Sequence, residues 1–276
     1  MLELEHTYRV VDVHTSIDPS GGTRTDGSYV IGPERLELEM HQAGIVKSVV
    51  FPATQPGDAS YLTANNAVAR LSVDRPFVAF ARITGPVDPS TDLRARLRNI
   101  RSQRESWHTS PSDIEQYGLD HRFHGFKVNP PRDGLPDEEV LDMLESIGEP
   151  VLVHAGKEFT PSAIEQTLLC REFPLIIEHF GCYPYDSELA DRAIDLLDEY
   201  DHCFLETSFV GDRAPIERAL REHPDRVCFG SGSPRIHPNV GMMEILTLDV
   251  TEDKLKRAFS TNACAIIPEL RPGATD

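Results

Sequence analysis

Short apolar runs recur along the chain, several led by glycine or proline and several ending in a polar group. They span Tyr8 to His14, Gly44 to Phe51, Pro76 to Ile83, His124 to Asn129, Pro150 to His154, Pro174 to His179, His202 to Ser208 and Arg226 to Ser231. Each is too short for a buried helix and rich in valine, isoleucine and phenylalanine, which predicts strands. The stretches between them carry the three-to-four-residue apolar spacing of helices. One helix is expected from Pro33 to Ala43, closed by Gly44, and another from Asp58 to about Asp74. A third should cover Leu93 to Arg104, with Leu93, Leu97 and Ile100 as its stripe, and a fourth Asp137 to Ile147. Thr160-Pro161 is a helix start, N-cap then first-turn proline, followed by Ile164, Leu168 and Leu169 on one face. Further helices are expected at Ser187 to Tyr200, Ile216 to His223, Val240 to Leu246 and Thr251 to Phe259. Strands alternating with helices in this way predict an α/β fold, a (β/α)8 TIM barrel. It should form one domain over residues 1–276, slightly elaborated between Glu105 and Asp120. A doubly wound open sheet would need a glycine-rich turn directly after its first strand, and Gly21-Gly22 comes too late.

A parallel barrel builds its chemistry where the strands end. Three of the predicted strands end in histidine: His14, His154 and His179. Imidazoles converging on one mouth are metal ligands, proton-transfer groups or both. Lys127 ends the fourth strand and reads as a desolvated amine or an anion clamp. By two-residue alternation Val11 and Val13 face one way, while Asp12, His14 and Ser16 share the other. Asp12 would then orient an imidazole or the lysine. Arg82, Arg235 and Ser16 are candidate contacts for a substrate carboxylate, and Glu206 is a spare carboxylate whose facing is open. Selectivity should reside in loops such as Thr15 to Ile31 and Glu105 to Asp120.

With 276 residues, 39% of them hydrophobic, the chain can bury a large core. A formal charge of −18 argues against nucleic acid or an anionic membrane as partner. A small anionic substrate stays compatible, because a few local cations can dominate a pocket. No apolar run approaches the ~18 residues of a membrane span. Glu3 and Glu5 stand where a signal core would begin, so a cytoplasmic location is expected. Five cysteines without a Cys-x-x-Cys pair read as buried free thiols. Oligomeric state is not fixed, and a homo-oligomer is compatible.

The ordered set Val11-Asp12-Val13-His14, Gly125-Phe126-Lys127, Val153-His154, Glu178-His179-Phe180-Gly181 and Phe229-Gly230-Ser231 with Pro234 resembles the amidohydrolase superfamily. The nearest resemblance is to the amidohydrolase-related branch of decarboxylases and lactonases, and it runs from the first strand to Asn262-Ala263. It implies metal ligation through the first-, fifth- and sixth-strand histidines, which maps onto His14, His154 and His179. Two departures matter. The family's second first-strand histidine is Ser16, and its Gly-Ser-Asp on the eighth strand reads Gly230-Ser231-Gly232. With that aspartate gone, a ligand and the base that activates water are both missing. The expectation is therefore no tightly bound cofactor or, failing that, a single divalent metal, zinc or manganese. The leading expectation is hydrolysis or formation of a lactone or amide by His14, Lys127, His154, His179 and Asp12. The alternatives are a decarboxylase that protonates a ring carbon through His179, and a non-catalytic ligand-binding relative.

Overall fold

Eight parallel strands lie in chain order in one sheet. The computed structural model describes residues 6–21, 30–55, 59–90, 97, 99, 100 and 102–273. The strands are β1 Val10–Ile17, β2 Ile45–Pro52, β3 Phe77–Ile83, β4 Phe123–Val128, β5 Val151–Val153, β6 Leu175–Ile177, β7 Cys203–Glu206 and β8 Val227–Cys228. The helices that follow them in turn are α1 Pro33–Gln42, α2 Leu62–Leu71, α3 Pro111–Leu119, α4 Glu138–Ile147, α5 Pro161–Thr167, α6 Ser187–Glu199, α7 Arg213–Glu222 and α8 Pro238–Leu246. A closing helix α9, Glu252–Lys256, continues through a π-helical turn at Arg257–Thr261 into Asn262–Ile266. Beyond β8 the chain bonds back to β1: Val13 N donates to Phe229 O at 3.0 Å, Gly232 N to His14 O at 3.1 Å and Ser16 N to Ser233 O at 2.9 Å. The sheet thus comes round to its own first strand as the barrel the sequence predicts.

Local chemistry sets the element ends. Thr160 caps α5 through Ala163 N at 3.3 Å, with Pro161 in the first turn as expected. Asp137 caps α4, which stops at Gly148 in the left-handed region. In the Glu105 to Asp120 insertion, Ser110 and Asp113 form a reciprocal capping box that starts α3. The expected Leu93–Arg104 helix and the middle of the Thr15–Ile31 loop lie largely outside the described residues.

One apolar cluster draws side chains from strand after strand, among them Val11, Phe51, Phe80, Leu152, Ile176 and Phe204. That is the barrel lumen, closed by Ala263, Ile267 and Leu270 from the end of the chain. The opposite strand faces pack on the helices in a second, larger cluster. The alternation expected for β1 needs correcting here. Val11 and Val13 lie in the lumen cluster, yet His14 also reaches the pocket above it. Pairing with β2 slips between Asp12 and Thr15, and this irregularity turns His14 inward, apart from Asp12.

Among the described residues no helix is long and apolar enough to cross a membrane. All five cysteines are free, but only Cys182, Cys203 and Cys228 are buried, while Cys170 is exposed.

Candidate functional site

The C-terminal mouth of the barrel is organised around Glu178, the residue directly after β6, which is 1% exposed. Lys127 Nζ, rising from β4, lies 2.6 Å from Glu178 Oε1. His14 Nε2 is 3.6 Å from the same oxygen. On the other oxygen, Oε2, His154 Nδ1 stands at 3.4 Å and His179 Nε2 at 3.6 Å. Four cationic or imidazole groups from four strand ends therefore surround one carboxylate.

Glu206, at the end of β7 and fully buried, holds this group from behind. Its Oε1 accepts from His179 N at 2.7 Å and Ser208 Oγ at 2.7 Å, with His14 Nδ1 at 3.0 Å, and its Oε2 accepts from Ser208 N at 2.8 Å. Gly230 permits this arrangement, since a Cβ there would overlap Glu206 Oε2. His179 Nδ1 meets Ser208 Oγ at 2.7 Å and the Ser208 carbonyl at 3.2 Å. A carboxylate and a carbonyl can only accept, and the Ser208 hydroxyl proton is engaged by Glu206. The network thus assigns the ring proton to Nδ1 in both His14 and His179 and turns both Nε2 atoms toward Glu178.

Backbone geometry at the β6 end serves the same purpose. His179 and Phe180 have φ of 57° and 50°, and Phe209 has 59°. Such left-handed residues cost about 1–2 kcal/mol each. The sharp turn at His179 and Phe180 puts Glu178 and His179, neighbours in sequence, into one pocket.

Electrostatics follow from burial and this crowding. Burial alone would raise the Glu178 pKa, but His14 and Lys127, helped by His154 and His179, hold it well below the usual carboxylate range. Burial opposes charge on His14, yet Glu178 and Glu206 outweigh it and its pKa is raised. His179 is pushed down to about 3 by burial, against the pull of Glu206 and Glu178. Burial also lowers Lys127, only partly offset by Glu178. Burial thus favours the neutral imidazole at His179.

Of the sequence candidates, His14, Lys127, His154 and His179 come together. Asp12 does not touch an imidazole ring. It accepts from His14 N at 3.0 Å, Thr15 Oγ1 at 3.1 Å, Ser231 N at 2.9 Å and Ser231 Oγ at 2.5 Å, so it fixes the β1 irregularity rather than a side chain. Arg82 is 2% exposed and bonded to Asp133, Thr54 and the Pro52 carbonyl, bracing the loops after β2 and β4. Ser16 is half-buried, and among the described residues no side-chain hydrogen bond joins it to the cluster. Arg235 is exposed and lies over the Tyr183 and Phe209 rings, donating to Tyr183 Oη at 3.0 Å. Those rings in turn pack on His179, with centroids 5.1 and 5.2 Å away. Glu178, Ser208, Tyr183 and Phe209 escaped sequence assignment, and Glu206 was left without a facing. For the two glutamates the signal existed: Ile176 with Glu178, and Phe204 with Glu206, alternate in register with the lumen residues.

The residues present fit a single divalent ion. His14, Glu178 and His179 each offer a ligand atom, and these atoms lie within 4.8 Å of one another. Nδ1 of each histidine is held by Glu206 or Ser208, the outer-partner pattern that orients metal-binding imidazoles. His154 is not one of this group of three, although its Nδ1 meets the same Glu178 oxygen as His179 and its ring lies 5.1 Å from the His179 ring. Glu178 joins His14 and His179 as a possible donor that the sequence reading did not name.

Gly232 cannot be returned to the family's aspartate. Its φ is 70°, and a Cβ there would overlap Phe209 Cε2. Gly232→Asp is expected to lower stability by roughly 2–4 kcal/mol without raising metal content. A denaturant midpoint and metal analysis check this, and a stable variant that gains bound metal would contradict it.

Solved structures with the same architecture show low identity over nearly full length. They include 2,6-dihydroxybenzoate decarboxylase from Rhizobium, at 14% identity and TM-score 0.62, covering 94% of this chain and 98% of that one. Another is 5-carboxyvanillate decarboxylase from Novosphingobium aromaticivorans complexed with manganese and 4-hydroxy-3-methoxy-5-nitrobenzoic acid, at 15% identity and TM-score 0.64, covering 94% and 95%. An uncharacterised TIM-barrel protein from Bordetella bronchiseptica reaches 17% and 0.68, covering 95% and 99%. No curated protein matches the sequence. The family model described as Amidohydrolase matches residues 11–268, from the first strand through the closing helix. That span takes in every strand end that builds the pocket, and the chain belongs to the amidohydrolase family.

Proposed function

We propose that this protein is a lyase that removes carbon dioxide from a small carboxylate-bearing ring compound, with His154 as proton donor. One observation carries the preference over hydrolysis: the place of the water-activating aspartate is taken by Gly232, with the Phe209 ring packed against it. Decarboxylation needs no such base. It needs a cationic pocket for a carboxylate and an acid that delivers a proton to carbon. The solved structures of like fold that are decarboxylases of hydroxylated benzoates suggest the substrate class.

His154 is the imidazole best placed for the proton. Its side chain is 17% exposed, more than His14 or His179, and its Nδ1 lies 3.4 Å from Glu178 Oε2. The carbon–carbon bond to the carboxylate breaks, its electron pair stays on the ring carbon, and that carbon takes the His154 proton as carbon dioxide departs. Lys127 and Glu178 keep the pocket charge balanced, while Tyr183 and Phe209 offer apolar faces beside the histidines. A divalent ion held by His14, Glu178 and His179 would supply positive charge to orient the substrate's oxygens.

Carbon dioxide release from hydroxybenzoates by manganese-loaded protein tests the reading. His154→Asn is expected to lower kcat about a hundredfold or more with metal content unchanged. Acid release from lactones without carbon dioxide release would overturn it in favour of hydrolysis.

A further inference from the structure

Glu178 is the one carboxylate among the three grouped ligand residues, and it is already in contact with a cation of the chain itself. Lys127 is 2% exposed, and its Nζ lies 2.6 Å from Glu178 Oε1. The contact is short, and Nζ also donates to the Val128 carbonyl at 3.1 Å. The same Oε1 is 3.6 Å from His14 Nε2, and the other oxygen is 3.6 Å from His179 Nε2, so Lys127 and the donor group share one carboxylate. An ion held by Glu178 would meet the buried ammonium at close range, where the two charges are weakly screened.

We infer that Lys127 is an internal competitor for the metal, occupying Glu178 when the ion is absent and drawn off it when an ion of manganese or zinc type binds. Nζ already donates to the Val128 carbonyl and lies 5.5 Å from the Phe51 ring, so the ammonium keeps partners when Glu178 is drawn away. Lys127 thereby sets the metal affinity downward, in a pocket whose two buried carboxylates, Glu178 and Glu206, would otherwise hold a dication firmly. This rests on the donor group named above and not on the reaction assigned to it.

The test is a titration of chelator-stripped protein with manganese chloride, and separately zinc chloride, followed by calorimetry and by the rise in melting temperature. Lys127→Met is expected to bind either ion at least about tenfold more tightly than the natural chain, including the case where only the variant binds measurably. Equal or weaker binding by a folded Lys127→Met protein overturns the inference. So does failure of both proteins to bind, which leaves the decarboxylase reading to its own assay. If Lys127→Met does not fold, Lys127→Arg keeps a cation beside Glu178 and should bind no more tightly than the natural chain. Tighter binding by Lys127→Arg overturns the competition.

Discussion

Replacing Glu178 by glutamine is expected to destabilise the metal-free protein by about 3–5 kcal/mol, as removal of one partner from a buried ion pair does. The effect is large because Glu178 faces the buried Lys127 ammonium at 2.6 Å, with the His14, His154 and His179 imidazoles ranged round its two oxygens. With a neutral amide in its place, the Lys127 ammonium is left 2% exposed and, among the described residues, with no carboxylate at contact distance. The same substitution removes the only anionic ligand of the donor group, so metal binding should vanish. A chemical-denaturation midpoint at constant slope reads the stability loss. The decisive comparison is Glu178→Gln with Lys127→Met: removing both charges should recover most of the loss. A double variant no more stable than Glu178→Gln alone would mean that the penalty comes from packing, not from a stranded charge.

The fold was legible because each strand and helix carries its own signal. Proline-led apolar runs, the Thr160-Pro161 start and the Gly148 stop of α4 act locally, and the barrel follows from their alternation. The site was half legible for the same reason. Histidines at strand ends announce themselves, and His14, His154 and His179 do meet. What two-residue counting could not foresee is where the backbone departs from regularity. The slip in β1 between Asp12 and Thr15 sends His14 and Asp12 to different neighbours. The left-handed pair His179 and Phe180 lets two consecutive residues enter one pocket. Glu178 itself follows the alternation from Ile176, and it is His179 that the turn brings in beside it. Arg82 misled in the opposite way: its facing is toward the mouth, but Asp133, distant in sequence, already engages it. A missing ligand at Gly232 was visible in the sequence, whereas the ring of Phe209 that bars its return was not.

Stability of the chelator-stripped protein should peak near pH 6.5 and fall on both sides, steeply toward acid. His179 governs the acid limb. Its folded pKa is pushed down to about 3 by burial, whereas the unfolded imidazole titrates near 6.5. Between these values the unfolded chain binds a proton that the folded chain refuses, so stability drops by up to about 1.4 kcal/mol per pH unit on acidification. Glu178 and Glu206, both depressed, add to the fall below the unfolded glutamate pKa of about 4.3, as their folded carboxylates resist protonation. Asp12, raised by burial, opposes over part of that range, since its folded form takes up a proton first. The alkaline limb has the reverse sign. His14 is raised in the fold, so its contribution is complete below about pH 6.5 and is lost as pH climbs through the folded value. Denaturant midpoints collected every half unit from pH 4 to 8 would trace both limbs. In His179→Asn the acid limb should flatten while the alkaline limb persists. An unchanged acid slope in that variant would show that His179 accepts a proton in the fold as readily as in the unfolded chain. Its neutrality, and with it the case for His154 as the proton donor, would then fall.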